Sequence, residues 1–231
     1  MDTFVDEYPD IYKFEPHAHT AESSACSGLP AEELVEMYFH EGFGGIAITD
    51  HLYEYLLMRH NDDWDACIDY LLRGYKAAKQ HGDKLGIDVI LGMELSFANR
   101  ANDYLVYGFD EDFLRKNPFL PLLTSKEFFQ RYGNELLIIQ AHPSRDGNTL
   151  DTTGSVHGIE VYNSNPRHNN HNGKTKAYHK ANPKLLATSA SDAHQPEDVG
   201  RGWIELDAPV ADSYRFRDLV KARRYTLGIW K

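Results

Sequence analysis

The sequence predicts a single α/β barrel domain that spans residues 1–231. The chain length is one that single α/β barrels commonly have. Hydrophobic residues make up 42% of the chain, which is enough for a sizeable core and too many for a disordered protein. Apolar segments of strand length alternate with segments of helical periodicity, and this alternation is typical of a largely parallel sheet wrapped by helices.

The predicted strands are short apolar segments between polar or turn-forming residues. In chain order they are 12–14, 45–49, 88–91, 104–109, 135–140, 158–162 and 185–189. The predicted helices carry apolar residues three or four positions apart. One begins at 29–33, and the others cover roughly 62–80, 125–132, 173–180 and 213–222. We expect Gly42, Gly82 and Gly133 to lie near helix ends, and Ser125 is the candidate N-cap of the helix over 125–132.

Histidines and carboxylates follow five of the predicted strands. They are His17 and His19 after the first strand, Asp50 and His51 after the second, Glu94 after the third, His142 after 135–140, and Asp192 and His194 after the last. Because the carboxyl ends of parallel strands meet on one face of a barrel, we expect these side chains to lie together. Each motif is weak or moderate alone, and their shared position predicts a metal site.

Two of these motifs place a pair of ligand atoms on one side of the chain. His17 and His19 are two residues apart, and in an extended segment such residues project the same way, so both imidazoles can reach one ion. Asp192 and His194 repeat this spacing with one oxygen and one nitrogen ligand. The ordinary alternative for His17 and His19 is a pair of solvent-facing histidines near a strand end.

The remaining motifs have stronger alternatives when each is taken alone. Glu94 lies in an apolar context and needs a cation or a proton, although an arginine could supply the charge. Asp50 could orient a ligating imidazole, but an aspartate there is more often a helix cap or turn residue. A lone histidine such as His142 is more often a satisfied core residue than a ligand.

The predicted donor set is nitrogen and oxygen without an evident thiolate, which suits zinc, manganese or iron. The chain has no CxxC pair, so a closed structural zinc site is not expected, and no GxSxG segment indicates a serine nucleophile. Arg145 and Arg167 are candidates for binding phosphate through their forked donors, with a solvated surface position as the alternative for Arg167.

Other histidines are not expected to bind metal. We expect surface positions for His40, His60 and His81, which fall on or beside predicted helices. The polar segment 163–180 is predicted to form a loop over the mouth of the barrel that could touch substrate through residues such as Asn163. Its three histidines are His168, His171 and His179.

Charge and composition exclude some partners. The formal net charge is −11, which disfavours long nucleic acids and anionic membranes. No apolar run approaches the ~18 residues that a membrane helix needs. The first ten residues are acidic and unlike a signal peptide, and only Cys26 and Cys67 occur, so we expect a reducing cytoplasm and no disulfide framework. The sequence leaves the oligomeric state open.

With these motifs in order, the sequence resembles the polymerase and histidinol phosphatase (PHP) superfamily of metal-dependent phosphoesterases, from HAHT to SDAHQPEDVGRG. The resemblance implies a distorted (β/α)7 barrel with a trinuclear site, and with the departures described below we expect two or three divalent ions. It implies that the first ion is bound by His17, His19, Glu94 and Asp192. By the same resemblance Glu94 bridges to a second ion that His142 helps to hold, and His51 and His194 belong to a third.

Two departures from the family pattern put the number of ions in doubt. Family members usually supply a further histidine or aspartate shortly after the HxH pair, and segment 20–27, which includes Ala25, has neither. Glu22 and Cys26 are the candidate substitutes, or the third ion binds weakly. The histidine that usually follows the family's glutamate is also missing, because no histidine lies between Glu94 and His142. The second site would then rely on Glu94, His142 and water or phosphate.

The sequence thus predicts a hydrolase of a small phosphorylated metabolite. We favour a phosphomonoester, for example histidinol phosphate or a nucleotide, attacked by a metal-activated hydroxide with Glu94 and Asp192 as catalytic residues. A second hypothesis is amidohydrolase-type hydrolysis of an amide or lactone, which the lack of an evident carboxylated-lysine signature disfavours. A third is a catalytically silent metal-binding module, which the gaps at the second and third sites keep open.

Overall fold

The computed structural model describes residues 11–98 and 102–230, which form a mixed α/β fold. The strands are β1 (Tyr12–Ala18), β2 (Gly45–Ile48), β3 (His51–Leu52), β4 (Asp88–Leu91), β5 (Met93–Ser96), β6 (Asp103–Tyr107), β7 (Leu137–Gln140), β8 (Gly158–Asn163), β9 (Leu186–Ala190), β10 (Gly202–Leu206) and β11 (Tyr225–Ile229). The helices are α1 (Ala31–His40), α2 (Glu54–Arg59), α3 (Trp64–Leu85), α4 (Glu111–Lys116), α5 (Ser125–Tyr132), α6 (Asn172–Ala181) and α7 (Ser213–Lys221).

The strands form two sheets, with the orders β11-β10-β1-β2-β4 and β3-β5-β6-β7-β8-β9. The chain passes from the first sheet to the second between β2 and β3, and again at Gly92 between β4 and β5. A side chain at Gly92 would lie 2.9 Å from a methyl carbon of Thr49, so only glycine fits this crossing. A parallel bridge from Ala18 to Ala193 also joins the two sheets. The predicted α/β class is confirmed, and the closed seven-stranded barrel stays a prediction.

Strand direction decides which residues reach the site. β1, β2 and β4 pair in parallel, as do β7, β8 and β9, so their carboxyl ends point the same way. β6 runs antiparallel to both β5 and β7. Its first residue, Asp103, therefore lies at the edge where the neighbouring strands end, opposite Ser96 of β5. A search for polar residues after strands cannot find a residue that begins one.

Packing of aromatic side chains fixes the end of β1. Phe216 of α7 contacts both Phe14 and Tyr107, with ring centroids 4.8 and 4.7 Å apart. The hydroxyl of Tyr107 donates a 2.6 Å hydrogen bond to the carbonyl of Pro16. Pro16 directly precedes His17, so this buried contact anchors the backbone where the site begins. β1 extends to Ala18 and not only to residue 14, because β2 pairs with Glu15 and Ala18.

Two helix boundaries differ from the prediction. α3 continues past Gly82 and ends at Gly86, which has φ of 82°. Gly82 is instead a packing position, because a Cβ there would lie 2.5 Å from a methyl carbon of Val89. α5 is capped by Thr124 and not by Ser125: the Thr124 hydroxyl accepts from the backbone amide of Glu127, and the Glu127 carboxylate accepts from the amide of Thr124.

Several short elements were not predicted from the sequence. They are α2, α4, β3, β5, β10 and β11. Within the described ranges, no helix is long and apolar enough to cross a membrane. The first ten residues, on which the expectation of no signal peptide rests, lie outside those ranges.

Candidate metal centre

The structure brings all seven predicted metal ligands into one buried cluster. Three overlapping groups have their ligand atoms within 4.8 Å of one another. The groups are His17, His19 and Asp192; His17, Glu94 and His142; and His19, His51 and His194. The ligands come from β1, β3 and β5 and from the loops after β7 and β9, so the convergence inferred from the sequence is present in the structure.

Four of these side chains, those of His17, His19, Glu94 and Asp192, have the arrangement that a divalent ion requires. The Nε2 atom of His17 lies 3.4 Å from Glu94 Oε2 and 3.4 Å from Asp192 Oδ1. The Nε2 atom of His19 lies 3.2 and 3.5 Å from the same two oxygens, and 3.0 Å from His17 Nε2. All four side chains are at most 1% exposed. Two imidazole nitrogens and two carboxylate oxygens that face one point out of water fit a shared cation.

The Glu94 carboxylate contacts histidines of all three groups. Its Oε2 atom is 3.0 Å from His51 Nδ1, and its Oε1 atom is 2.9 Å from His142 Nε2. The parallel register of β3 and β5 sets His51 opposite Glu94, which explains why these two side chains meet. Burial raises the pKa of Glu94, but the His17 and His51 charges outweigh burial and hold the pKa well below its usual range. Glu94 is therefore a carboxylate with one oxygen towards His51 and the other towards His142.

Two of the predicted ligands have left-handed backbone conformations, which residues other than glycine rarely adopt. His142 has φ of 29° and Asp192 has φ of 54°. Left-handed backbone at a residue other than glycine costs free energy, and such positions are concentrated at functional sites. Both residues follow the last residue of a strand by two positions, where this conformation turns the side chain back towards the cluster.

Glu160 orients two of the ligands and was missed in the sequence. Its Oε1 atom lies 3.0 Å from His17 Nδ1, and its Oε2 atom accepts a 2.7 Å hydrogen bond from the backbone amide of His142. A carboxylate on Nδ1 leaves the Nε2 lone pair of His17 free for a metal. The available signal was a lone charge inside the apolar segment GIEVY, at a position 1% exposed in the fold.

Glu15 is a second buried carboxylate that the sequence analysis did not single out. It accepts a 2.8 Å hydrogen bond from the Tyr38 hydroxyl and further bonds from the backbone amides of His17 and Ser191. Burial raises the pKa of Glu15 to about 8 against the opposing effect of these hydrogen bonds. Glu15 thus ties β1 to the loop that carries Asp192.

Asp50 acts on the cluster through Ser24 and does not touch an imidazole directly. The Ser24 hydroxyl donates a 2.7 Å hydrogen bond to Asp50 Oδ1 and lies 3.4 Å from His19 Nδ1. Asp50 also accepts from the backbone amide and the hydroxyl of Thr20, at 2.8 and 2.6 Å. The contact between Asp50 and His19 is therefore indirect, through Ser24, and the orienting role of Asp50 stays a prediction.

The structure brings one new oxygen donor to the second group. Asp103 Oδ2 lies 3.9 Å from His142 Nε2, and Asp103 lines the same cavity as Glu94. Burial and the Glu94 charge raise the pKa of Asp103. The second site therefore has an aspartate beside Glu94 and His142, in the stretch of sequence where no histidine occurs.

Near the third group, which is His19, His51 and His194, the two candidate substitute ligands have different surroundings. Both carboxylate oxygens of Glu22 lie 3.0 Å from the backbone amide of Ala31, so Glu22 caps α1. Cys26 lines the cavity with His51 and His194. Burial raises the pKa of the Cys26 thiol, but hydrogen bonds with His194 and His51 outweigh it and bring the pKa down to about 6.

Both predicted phosphate-binding arginines border a cavity of about 210 Å³ beside the cluster. Arg145 donates to Asp192 Oδ2 at 2.5 Å and to Asn170 Oδ1 at 2.8 Å. Arg167 forms a two-bond pair with the fully buried Asp198, at 2.8 and 2.5 Å. The Arg145 side chain is 14% exposed, whereas Arg167 is an exposed residue whose side chain is 36% exposed and paired with Asp198. The surface alternative for Arg167 therefore stands beside its predicted phosphate-binding role.

The remaining histidines lie at the edge of the cluster or outside it. His168 lines the cavity, in agreement with a loop that can touch substrate. His171 pairs with Asp146 at the surface, and His179 contacts the carbonyl of Leu185. The Asn163 side-chain amide donates hydrogen bonds to the carboxylates of Glu160 and Asp192 and so holds both in position.

The fold and the donor set define an α/β protein with a metal-binding site rich in histidine and carboxylate. The PHP domain model matches residues 15–196, and a PHP-associated model matches residues 170–225. The chain therefore belongs to the PHP domain family, whose members include predicted metal-dependent phosphoesterases. Comparison with curated proteins gave no significant match.

Solved structures share the fold at low sequence identity. A two-domain protein from Bacteroides vulgatus that contains a predicted PHP-like metal-dependent phosphoesterase has a TM-score of 0.66 and 20% identity. The match covers 94% of this chain and 64% of that protein. PsfC from Pseudomonas syringae has a TM-score of 0.68 and 16% identity, with 95% of this chain and 91% of PsfC covered. An amidohydrolase from Chromobacterium violaceum with bound sulfate has a TM-score of 0.56 and 16% identity, with 92% and 97% covered.

Proposed function

We propose that the protein is a metal-dependent phosphoesterase that hydrolyses a small phosphorylated metabolite, preferably a phosphomonoester such as histidinol phosphate or a nucleotide. One observation carries this proposal: the ligand cluster opens into a cavity of about 210 Å³ that is bordered by Arg145 and Arg167. A small anionic ligand suits this size and charge. The proposed cofactors are two or three divalent ions of zinc, manganese or iron.

In this proposal, one set of residues holds the ions and another binds the substrate. His17, His19, Glu94 and Asp192 would hold the first ion, Glu94 and His142 the second, and His51 and His194 the third. Divalent ions in such a site activate water near neutral pH and neutralise charge that develops on phosphoryl oxygens. Arg145 and Arg167 would bind the phosphoryl oxygens of the substrate. Their partners Asp192 and Asp198 already fix both guanidinium groups, so little ordering is left to occur on binding.

A second candidate function is amidohydrolase-type hydrolysis of an amide or lactone. The similar fold of the Chromobacterium violaceum amidohydrolase favours keeping it. A polar cavity with metal ligands on one wall serves either reaction. The two arginines favour the phosphate ester, since an amide or lactone offers no anionic group that would need two guanidinium partners. A silent metal-binding module is the third candidate.

The test measures metal content and turnover on the same preparation. Protein purified without chelator is assayed for bound metal, then for hydrolysis of p-nitrophenyl phosphate, bis(p-nitrophenyl) phosphate, an amide and a lactone. The proposal expects bound divalent metal and fastest turnover of the monoester, with little action on long nucleic acid. Turnover of the amide or lactone alone would support the second candidate. Bound metal without any turnover would support the silent module.

Replacing Arg145 with alanine is expected to lower kcat/KM for a phosphomonoester by roughly 10- to 100-fold, mainly by raising KM. A hydrogen bond to a charged group contributes about 1.5–3 kcal/mol, and about 1.4 kcal/mol corresponds to a factor of ten. Arg131→Ala, at an exposed position in α5, is the matched control. Equal kinetics for the two variants would contradict a phosphate-binding role for Arg145.

The setting of the protein is proposed to be the reducing cytoplasm. The free state of Cys26 and Cys67 supports this, because the two thiols are not joined in a disulfide.

A further inference from the structure

A second cavity adjoins the one beside the metal cluster, and we call it the side cavity. Its volume is about 490 Å³, against about 210 Å³ for the cavity that Arg145 and Arg167 border. Cys26, His51 and Asp103 line both cavities, so the two spaces meet at these residues. The side cavity is lined further by Ala25, Tyr53 and Ser96. An ester whose phosphoryl group lies at the cluster therefore has room for its organic part next to it.

The strand that carries His51 also sets Tyr53 in the wall of the side cavity. The backbone continues from β3 into Tyr53 in an extended conformation, with φ of −149° and ψ of 163°. In extended backbone, residues two positions apart project to the same side. Leu52 between them is 0% exposed in the core, whereas His51 and Tyr53 both line the side cavity. The Tyr53 ring also packs partly against this core, so its position is set before a ligand binds.

The aromatic rings of this wall are arranged for contact with another planar group. The Tyr53 ring is nearly perpendicular to the His51 ring, at 86° and 6.2 Å between centroids. It is nearly parallel to the Tyr55 ring, at 18° and 6.3 Å. Tyr55 is 58% exposed, so the aromatic surface extends from the cluster to solvent. Aromatic rings favour edge-to-face and offset-stacked neighbours at such distances, so a planar ring should bind here better than a saturated ring of similar size.

Charge distinguishes the side cavity from the cavity beside the cluster. Among the residues that the structure describes, no lysine or arginine lines the side cavity. Its acidic residue is Asp103, whose carboxylate accepts a hydrogen bond from the hydroxyl of Ser96 on the neighbouring strand. A second anionic group on a ligand would find no guanidinium or ammonium partner there, and its desolvation would be uncompensated.

We propose that the side cavity binds the organic part of the phosphate ester, and that Tyr53 selects substrates in which this part is an aromatic or heteroaromatic ring without a second anionic group. The proposal rests on the part of the proposed function that places the phosphoryl group at the metal cluster. Tyr53 contacts the ring and takes no part in breaking the ester bond. Its removal should therefore raise KM and change kcat little.

The first experiment compares 2-phenylethyl phosphate with 2-cyclohexylethyl phosphate. Both esters release a primary alcohol of similar acidity, so they differ in the planarity of the ring and hardly in intrinsic reactivity. Metal-loaded wild type is expected to have a kcat/KM about 3- to 10-fold higher for the phenyl ester, mainly through a lower KM, which is the advantage that an aromatic pair gives beyond its buried area. A carboxyl group at the 4-position of the phenyl ring is expected to lower kcat/KM by roughly tenfold.

Substitution of Tyr53 tests whether this residue is the source of the preference. Tyr53→Ala is expected to abolish the preference for the phenyl ester, and Tyr53→Phe is expected to keep it, because phenylalanine retains the ring. Tyr214→Ala, at an exposed position of α7, is the matched control and should keep the wild-type preference. The preference is a ratio of two substrates on one preparation, so a loss of stability or of metal alone would not remove it.

A non-hydrolysable pair separates this inference from the proposed function. The Kd values of 3-phenylpropylphosphonate and 3-cyclohexylpropylphosphonate are measured by isothermal titration calorimetry on the same four proteins. If no phosphomonoester is turned over but the phenyl compound binds 3- to 10-fold more tightly, with the difference lost in Tyr53→Ala, the side cavity is supported and the proposed reaction is refuted.

Three results would overturn the inference. They are hydrolysis of both esters with equal kcat/KM, which leaves the proposed function standing, retention of the preference in Tyr53→Ala, and failure of both phosphonates to bind. Hydrolysis of the carboxylated ester as efficiently as its parent would overturn the exclusion of a second anionic group.

Discussion

Glu94→Gln is expected to lower kcat/KM of the metal-loaded protein by roughly a thousandfold or more and to reduce its bound metal. The Glu94 carboxylate is the group that faces both His51 and His142, so one substitution weakens two ion positions. Stabilisation of transition-state charge by metal ions is worth several kcal/mol, and about 1.4 kcal/mol is a factor of ten. Glutamine keeps the size of the side chain, so the change isolates the charge.

The measurement pairs phosphomonoester turnover with metal analysis of the same sample. Glu33→Gln, at an exposed position of α1, makes the same chemical change outside the cluster and should behave as wild type. If Glu94→Gln kept both its metal and a turnover within a few fold of wild type, Glu94 would not be a bridging ligand and the proposed reaction would lose its basis.

Removal of metal is expected to lower the melting temperature at pH 8 by roughly 8–16 °C. An ion present at about 1000 Kd contributes about 4 kcal/mol to folding. A chain of this length shifts its Tm by about 2–4 °C per kcal/mol. Without ions, the buried Glu94 charge is compensated by protons on neighbouring histidines, and the Asp192 charge by such protons and by Arg145.

The same effect should depend on pH in a defined direction. Burial lowers the pKa of His17, but the Asp192, Glu94 and Glu160 charges outweigh it and raise the pKa well above 6.5. A raised histidine pKa contributes stability that is complete below pH 6.5 and is lost as the pH rises through the folded value. The lowered pKa of Glu94 contributes stability that is present above 4.5 and is lost as the pH falls. Metal-free protein should therefore be most stable between these values, and the gain from metal should grow from pH 5.5 to pH 8.

Differential scanning fluorimetry of chelated and zinc-loaded protein across this range provides the check. Asp192→Asn removes one charge of the first ion position and should reduce the gain, whereas Asp112→Asn in α4, a largely exposed site, should leave it unchanged. An equal Tm with and without zinc at pH 8, in protein that binds no ion by metal analysis, would show that the cluster is not a metal site.

Much of the site followed from local sequence patterns. His17, His19, Glu94, His142 and Asp192 each belong to a short apolar strand or to the residues just after one, and a parallel pairing then has to bring them to one edge. The i, i+2 spacing in HAH and DAH has a direct geometric meaning as well. These signals need only a few neighbouring residues, and the structure places all of these side chains in one cluster.

Other parts of the site had no local signal. Asp103 reaches the edge because β6 runs antiparallel, and strand direction is decided by partners far away in the chain. In the sequence, Glu160 is only one polar residue in an apolar strand. Its contact with His17 Nδ1 exists because the fold brings β8 to within hydrogen-bond distance of that imidazole. The place of the Glu22 carboxylate depended on where α1 begins, since it accepts from the backbone amide of Ala31 there.

By itself, the sequence determined the α/β class and a set of seven candidate ligand residues, because hydrophobic periodicity and position relative to strand ends are properties of short segments. Only the tertiary structure decided which group each ligand joins, and that Arg145 and Arg167 are held beside the cavity by Asp192 and Asp198. It also decided that Cys26 lines the same cavity as His51 and His194. These contacts join residues distant in the chain, and their distances are set by sheet register and packing, which no local pattern encodes.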